Sequence, residues 1–513
     1  MNYEYSERET NQRTASAAYP DYTAELRVLR ENGGVPDVKL VQRILQKHEP
    51  NAAYSRKLYE RYTGAGVPIY DRKPRFDDGA ALNNRVNHDF FGEIVDFKTG
   101  YFAGMPVGYS YAVTQDAKDT TDDAVDFGTV RADGDPVEAA QKALSDFVLR
   151  NNMHDRDMEV TKMAAACGYA GRLLYMDENG EIRVMILPAH ETVLLFDVEM
   201  TEAEAGLRYY SVVEMDDRTV WRVEFYTQTD VYTYTGNSLA ALAEALEDGG
   251  PHLFDGCPLQ GVPNNAEMTG DAEKVLALID AYDRAVSDAN NELSAFANAY
   301  MLFENVNITD EDILRGQHTG AFRFFNGGTG EGRISFLTKD INDAFIEHHL
   351  DRLEANIYRF SKTPNLNDEN FGGNASGVAM KYKLLGVESK CGMFQAKMQS
   401  AGVYMFRLLA GAWGKKGVAV DPLQCVMEFH RNFPQDALTE AQAVGALISA
   451  GLPERYAYAR LSDVDDVEYI IQMKEEEAHD VPPVLDVDTV GDDGMDMREE
   501  RDEDDLNPPD DSL

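Results

Sequence analysis

The sequence has few cysteines and no long apolar run. Cys167, Cys257, Cys391 and Cys425 lie far apart, without a Cys-x-x-Cys pair or a histidine at the spacing of a zinc site. We therefore expect four buried free thiols, as in a reducing cytosol, rather than disulfides. The longest nearly apolar stretch, residues 401–414, is interrupted by Arg407, whereas a membrane span needs about 20 apolar residues.

The first fourteen residues are polar and acidic, where a signal peptide would be basic and then apolar. Together with the lack of a membrane span, this start predicts a soluble, non-secreted chain with no membrane partner.

Basic residues are also scarce. The 513 residues include 48 Lys and Arg against 90 Asp and Glu, a net charge of −42, and residues 475–513 alone hold 17 of the acids. Proteins that bind DNA without sequence preference use cations to displace counterions from phosphates. The charge therefore disfavours a repressor, a nuclease or a packaging motor. It is compatible with a protein past which DNA slides, and equally with acidity that serves only solubility.

Sequence signatures of catalysis are missing as well. The chain contains no GxxxxGK[ST], HExxH or GxSxG, and the GGTGEG run at residues 327–332 has neither the lysine nor the following helix of a phosphate-binding loop. His348 and His349 are adjacent, so on a helix they point about 100° apart and cannot easily share one metal ion. The sequence therefore predicts no enzyme, no cofactor, and no catalytic or metal-binding residue.

What is present indicates an α+β protein that is mainly helical, with roughly three to four domains. Residues 1–34 are predicted to be a flexible arm with one short helix. The apolar spacing then predicts helices over residues 38–48 (ended by Pro50), 87–102, 136–151 and 156–167. Short runs rich in Val, Tyr, Phe and Leu follow and predict one antiparallel meander over residues 172–177, 183–187, 192–197, 209–215, 220–227 and 230–235.

Two segments of the second half carry apolar residues in an alternating 4-3 spacing, which predicts long helices packed along their length against each other or against copies. One hairpin cannot fully cover both apolar stripes, so we expect neighbouring copies to cover the rest. The residues of this oligomer seam are Val275, Ile279, Tyr282, Val286 and Leu293 in residues 271–296, and Leu350, Leu353 and Ile357 in residues 346–360. An insert at residues 300–340 separates them, with strand-like runs at 321–325 and 333–337.

A loop is predicted at residues 361–376, followed by a long helix at 378–413, a strand at 424–431, helices at 438–450 and 467–478, and a disordered acidic tail. The long helix contains four glycines, which suggest close packing or a bend. It also carries Lys383, Lys390 and Lys397 at seven-residue intervals. These lysines form either a solvated or ion-paired face or a ladder that faces a polyanion.

The run NNRVNHDFFGEIVDFKTGYFAGMPVGYS at residues 83–110 resembles a segment of the portal proteins of tailed bacteriophages. Further stretches match in order at residues 184–197, 207–212, 223–235, 262–288, 372–390 and 460–477. The resemblance is to the branch found in siphophages of Gram-positive bacteria and their prophages, and it extends over residues 54–477.

This resemblance implies the portal fold. Its parts would be an α+β wing at residues 35–261 with the strand 424–431, stem helices at 269–298 and 339–360, a clip at 299–338, a tunnel loop at 361–376, a channel helix at 377–413, a helical crown at 436–478, and the acidic tail at 479–513.

The resemblance also implies a function. Portal subunits form a dodecameric ring at one capsid vertex, through which the terminase ATPase packages double-stranded DNA and from which the DNA is later ejected. Further partners would be the major capsid and scaffolding proteins and the head–tail adaptor. The location would be the virion, after assembly in the bacterial cytoplasm. The tunnel loop would contact passing DNA through Lys362, Asn365, Asn367, Asn370 and Asn374.

Two other classes stay open at this point. A phage nuclease would need an acidic metal cluster, which the abundance of acids would hide. A non-catalytic scaffold or adaptor protein of a prophage would explain the heptad-like spacing and the acidity, although it would not explain the ordered matches.

Overall fold

The computed structural model of the chain describes residues 18–73, 83–111, 136–196, 202–243, 250–297, 300–304, 309–319, 332–337, 343–366, 377–432 and 437–458, with 461, 467, 470–471 and 473–474. The chain divides into two units, Met1–Phe433 and Pro434–Leu513. The helices of the first unit are α1 (Thr23–Glu31), α2 (Val38–Tyr62), α3 (Phe90–Ala103), α4 (Pro136–Asn151), α5 (Met153–Cys167), α6 (Leu276–Ala297), α7 (Asp310–Thr319), α8 (Asp343–Ser361) and α9 (Gly377–Lys415). The second unit contains α10 (Ala437–Ser449) and α11 (Glu454–Tyr458).

All strands of the described residues belong to antiparallel sheets. The strands are β1 (Gly108–Tyr111), β2 (Tyr169–Met176), β3 (Ile182–Leu187), β4 (Thr192–Leu195), β5 (Ala205–Val213), β6 (Thr219–Tyr226), β7 (Asp230–Gly236), β8 (Gly250–Pro251), β9 (Leu259–Pro263), β10 (Tyr300–Glu304), β11 (Arg333–Leu337) and β12 (Cys425–Glu428). Their orders are β3-β2-β9, β4-β5-β6-β7-β8, β1-β12 and β10-β11.

The six predicted strands of the first half are confirmed, but the prediction that they form one meander is wrong. The short 3-10 helix Ala189–Glu191 separates β3 from β4, and the chain then enters a second sheet. The sequence prediction also missed β9, which pairs with β2 from Tyr169 opposite Pro263 to Leu173 opposite Leu259. The first six residues of β2 are all buried, on both faces of the strand, so it lacks the alternating pattern of a half-exposed strand.

Helices α1 and α2 cover one face of the five-stranded sheet. Tyr22, Leu26 and Leu29 of the N-terminal segment are buried in this core with residues of β4 to β7. The Tyr19 hydroxyl also accepts a hydrogen bond from the Leu194 backbone N–H (2.6 Å) and donates one to its carbonyl (2.8 Å). Tyr19 therefore satisfies the backbone of the edge strand β4. The predicted short helix is confirmed as α1, but the prediction of a flexible arm is wrong for residues 18–34.

Helix α2 does not end at Pro50, contrary to the sequence prediction, but continues to Tyr62. A proline inside a helix costs about 3 kcal/mol. Before Pro50, the helix buries Val41 and Ile44 against the five-stranded sheet. After Pro50, it buries Leu58 in a second, larger hydrophobic core. Burial of several large apolar side chains, each worth about 1.5–3 kcal/mol, offsets the proline.

His48, two residues before Pro50 on α2, contacts both sheets. Its ring lies 3.3 Å from the Tyr169 hydroxyl of β2 and 3.3 Å from the Tyr209 hydroxyl of β5. Burial lowers the pKa of His48 to about 3, so the ring is uncharged at neutral pH. The histidine therefore joins the two sheets without carrying a buried charge.

The larger core contains α3, α4, α5, the three-stranded sheet, the start of α6, the end of α8 and much of α9. The predicted helices at residues 87–102, 136–151 and 156–167 are confirmed as α3, α4 and α5, and the long helix is confirmed as the continuous α9. The four cysteines are free and buried, as expected. Of the four glycines between residues 378 and 413 of α9, Gly386, Gly402 and Gly411 lie where a Cβ would crowd a neighbouring residue, whereas Gly392 faces open space.

Helices α6 and α8 pack against each other, and β10, α7 and β11 lie between them in the chain. The predicted strand at residues 333–337 is confirmed, and its described partner is β10 (Tyr300–Glu304). The predicted strand 321–325 lies outside the described residues, and α7 was not predicted. In the described part of the chain, no helix is long and apolar enough to cross a membrane.

In the second unit, α10 corresponds to the predicted helix at residues 438–450. The predicted helix at 467–478 is described only at scattered helical residues, where the Lys474 ammonium pairs with the Glu454 carboxylate. The acidic tail lies outside the described residues.

The docking of α1 predicts a measurable loss of stability when its apolar face is truncated. Leu26→Ala should lower the free energy of unfolding by about 2–4 kcal/mol, because it leaves a cavity in a closed core. Val28→Ala, on the exposed side of the same helix, is the matched control and should change it little. Urea denaturation of both variants measures the difference, and equal values would mean that the segment is loosely held after all.

Candidate functional site

The segment that carries the resemblance begins with an extended stretch at residues 84–88 that lies along α6. Three polar side chains of α6, spaced four residues apart, accept hydrogen bonds from alternate backbone N–H groups of this stretch. The pairs are Asn84 N–H to Asn291 Oδ1 (2.7 Å), Val86 N–H to Ser287 Oγ (3.0 Å) and His88 N–H to Asp283 Oδ1 (2.9 Å). Four residues of helix rise about 6 Å and two extended residues about 6.6 Å, so the two spacings match.

This ladder explains why the stretch is not helical, although the sequence predicted that α3 starts at residue 87. The extended backbone finds its hydrogen-bond acceptors on α6, and the helix starts only at Phe90, where Asp89 caps the Gly92 N–H at 3.0 Å. In the sequence, the three acceptors Asp283, Ser287 and Asn291 are indistinguishable from the solvent-exposed polar side of an amphipathic helix. Their spacing of four residues was the signal that sequence analysis missed.

Phe90 then fills the space between α6 and α8. Its ring meets Tyr282 of α6 edge-on at 5.0 Å and Tyr358 of α8 at 5.8 Å, measured between ring centroids. The Tyr358 hydroxyl donates to both Glu93 carboxylate oxygens at 2.8–2.9 Å. The first turns of α3 therefore hold the two long helices together at this end.

A buried ion cluster lies further along α3, at Lys98. The Asp271 carboxylate, just before α6, pairs through Oδ2 with Lys98 of α3 at 2.9 Å and through Oδ1 with Lys390 of α9 at 2.8 Å. Lys98 also donates to the Asn264 side-chain oxygen, and its ammonium lies 4.6 Å from the centre of the Phe394 ring. One carboxylate thus connects three helices.

The electrostatics of the cluster favour the ionised carboxylate. Burial acts to raise the pKa of Asp271, but the two ammonium groups of Lys98 and Lys390 outweigh it and hold that pKa below its usual range. Burial lowers the pKa of Lys390, and the neighbouring Asp271 carboxylate opposes that shift. Removing one partner from a buried pair leaves an uncompensated charge, at a cost of about 3–5 kcal/mol.

A second set of contacts fixes the chain that leaves β12. Arg431 binds both Glu388 carboxylate oxygens at 3.0 Å, and the Tyr101 hydroxyl donates to the same carboxylate at 3.0 Å. The Asn432 N–H donates to the Tyr101 carbonyl at 2.9 Å. The lysine and tyrosine of the KTGY run therefore both anchor α3 to α9.

The structure corrects the predicted oligomer seam at its base. Val275, Ile279, Leu353 and Ile357 are buried within the chain itself, so their assignment to contacts between subunits is wrong. The prediction considered only two helices, whereas apolar residues at the start of α3 also cover α6 and α8 here. Tyr282, Val286 and Leu350 are half-buried, and Leu293 is 65% exposed.

The three lysines of α9 do not share one environment. The side chain of Lys390 is only 13% exposed and pairs with Asp271, so the interpretation that it faces a polyanion is wrong. Lys383 and Lys397 are half-buried, and for them a polyanion-facing role stays a prediction.

The beginning of the predicted loop is fixed to α8. Lys362 adopts φ +60°, the Thr363 N–H donates to the Tyr358 carbonyl at 3.2 Å, and the Asn365 amide donates to Glu354 at 3.0 Å. This is a Schellman-type helix end with a lysine at the position that usually holds glycine. Asn367, Asn370 and Asn374 lie outside the described residues. Within the described ranges, no cluster of three or more His, Cys, Asp or Glu side chains could hold a metal ion.

A family model described as "Phage portal protein, SPP1 Gp6-like" matches residues 41–482. The chain belongs to this family. It is 23% identical over 472 residues to the portal protein of Bacillus phage SPP1, with 86% of each chain covered. It is 22% identical over 425 residues to the portal protein of Clostridium phage phiCD119, covering 79% of this chain and 86% of the relative.

The resemblance found in the sequence is thereby confirmed, including the link to phages of Gram-positive bacteria. Portal proteins are structural, non-catalytic components of the phage capsid, and they form the channel for DNA packaging. The family assignment thus decides against the nuclease and the prophage-scaffold alternatives. The mixed helix and sheet content agrees with an α+β portal fold.

The hydrogen-bond ladder on α6 predicts the effect of a single substitution. Ser287→Ala should lower the free energy of unfolding by about 1–3 kcal/mol, because the Val86 N–H loses its acceptor in a buried site. Ser400→Ala, at an exposed helical serine of α9, is the control for the change of residue type and should be nearly neutral. Equal urea midpoints for the two variants would mean that the hydrogen bond from Val86 to Ser287 does not stabilise the fold.

Proposed function

We propose that this portal subunit assembles into a dodecameric ring at one capsid vertex, through which the terminase packages double-stranded DNA. After packaging, the head–tail adaptor would dock on the ring, and the DNA would leave through the same channel. Family membership supports an oligomeric ring with capsid and terminase partners in general. The number of subunits and the adaptor contact belong to the proposal, as does assembly in the host cytoplasm.

We assign the parts of the portal architecture to described elements. Residues 35–261 with β12 are the wing, to which α1 is added because it docks on the five-stranded sheet. Helices α6 and α8 are the stem, residues 299–338 are the clip, and residues 361–376 are the tunnel loop. Helix α9 borders the channel, and residues 436–478 form the crown.

The observation that carries the proposal is the change in exposure along the stem. At its base, Ile279 and Ile357 are completely covered by the same chain. At its far end, Leu293 is 65% exposed on α6 and Phe345 is 69% exposed on α8. A single subunit gains nothing from apolar side chains in water, whereas neighbouring copies in a closed ring would cover them.

The charge of the chain supports passage of DNA rather than retention. A ring of copies that each carry −42 repels phosphates, so DNA does not adsorb to its surface by counterion release. Asn367, Asn370 and Asn374 would provide neutral hydrogen-bonding groups in the tunnel loop. Because the Asn365 amide already binds Glu354 and Lys362 belongs to the helix end, the proposed DNA contact rests mainly on the later part of the loop.

A charge placed at the far end of the stem tests the ring. Leu293→Asp should prevent ring closure while leaving a folded subunit, because an unpaired carboxylate would be buried between copies. Leu149→Asp, at a position 79% exposed on α4, is the control and should leave rings intact. Ile279→Asp is unsuitable, since it would disrupt the core of the subunit itself.

Negative-stain images and native mass spectrometry of the purified chains read out the result. The wild type and Leu149→Asp should give closed rings with a central hole, and Leu293→Asp should give monomers with an unchanged circular dichroism spectrum. Intact rings of Leu293→Asp would mean that α6 is not at the subunit interface.

A further inference from the structure

We propose that Lys390 is a positioning residue of the channel: it holds the start of the tunnel loop against the base of the stem. This proposal rests on the assignment of residues 361–376 as the tunnel loop. The sequence left open whether this lysine, in the middle of a long helix, is ion-paired or faces a polyanion. The structure directs its ammonium group towards both stem helices.

The Lys390 ammonium lies between the start of one stem helix and the end of the other. It is 2.8 Å from Asp271 Oδ1, which precedes α6, and 2.8 Å from the carbonyl oxygen of Ser361, the last residue of α8. The carbonyl groups in the last turn of a helix lack partners within the helix. A cation at that end satisfies one of them and also suits the negative end of the helix dipole.

The residues after Ser361 are fixed to this point. Thr363 is buried, and its N–H donates both to the Tyr358 carbonyl and to the Ser361 hydroxyl oxygen. With the Asn365 contact to Glu354, the chain is held as far as the exposed Leu366. Lys390 therefore binds the residue from which the rest of the tunnel loop departs.

A close backbone approach accompanies this contact. Gly386, one turn before Lys390 on α9, lies so near the loop start that a Cβ there would be 3.2 Å from the Lys362 carbonyl oxygen. Gly392, in the same helix, has open space at that position. Because residue 386 has no side chain, the end of α8 can approach α9 closely. The hydrogen bond from Lys390 to Ser361 then holds the two helices together at this point.

A label at Leu366 reports on this attachment in the full-length chain. Because the four native cysteines are buried, a nitroxide on Leu366→Cys should be the main label, and wild-type protein treated in the same way gives the background.

Two changes should release the loop start. Lys390→Met removes the ammonium, and Gly386→Ala inserts a methyl group without touching the ion cluster. Lys397→Met and Gly392→Ala are their matched controls on the same helix.

In electron paramagnetic resonance spectra of the purified, folded protein, Lys390→Met and Gly386→Ala should shorten the rotational correlation time of the label, and the two controls should not. In a packaging assay with rings that assemble normally, the same two variants should reduce the DNA packaged per capsid. Lys390→Arg should restore part of it.

Two results would overturn the proposal. Unchanged label mobility in both variants would mean that the contact does not hold the loop. Increased mobility with normal packaging would mean that the loop start needs no positioning. Failure of the wild type to form rings would contradict the proposed function, while the mobility result would still decide whether Lys390 holds Ser361.

Discussion

The arrangement of this subunit depends on one buried carboxylate, Asp271, placed between two ammonium groups. Lys98 brings α3 to it and Lys390 brings α9, while Asp271 itself stands at the entrance to α6. An isolated charge in such a site would be costly, so each of the three groups requires the other two in place. The cluster thereby specifies where α3, α9 and the start of α6 meet. The ladder on α6 and the Phe90 contacts extend the same junction along α6.

This junction divides the pair of helices α6 and α8 into a part that is covered within the subunit and a part that is exposed. Near the junction, ions, hydrogen bonds and apolar contacts of the same chain cover the pair, and Ile279 and Ile357 are buried. The far end carries exposed Leu293 and Phe345. In the proposed ring, the exposed end would pack against neighbouring copies without disturbing the contacts that stabilise the subunit itself.

Much of the fold follows from the sequence, because long amphipathic helices and short alternating strands leave strong periodic patterns. The patterns fail where a distant partner decides the outcome. Pro50 does not end α2, since the helix buries residues in one core before it and in another core after it. Helix α3 does not begin at residue 87, because Asp283 of α6 accepts the His88 N–H. At the site, the seven-residue lysine spacing was visible, but which lysine turns inward depends on Asp271, more than a hundred residues away. No local pattern encodes that contact.

The most direct test of the central claim is a double-mutant cycle in urea unfolding with Asp271→Asn, Lys390→Met and the combined variant. If the carboxylate and the ammonium depend on each other, the double variant should lose less free energy of unfolding than the sum of the single losses, by about 1–3 kcal/mol. Losses that add within about 0.5 kcal/mol would contradict the account, because Asp271 and Lys390 would then act independently.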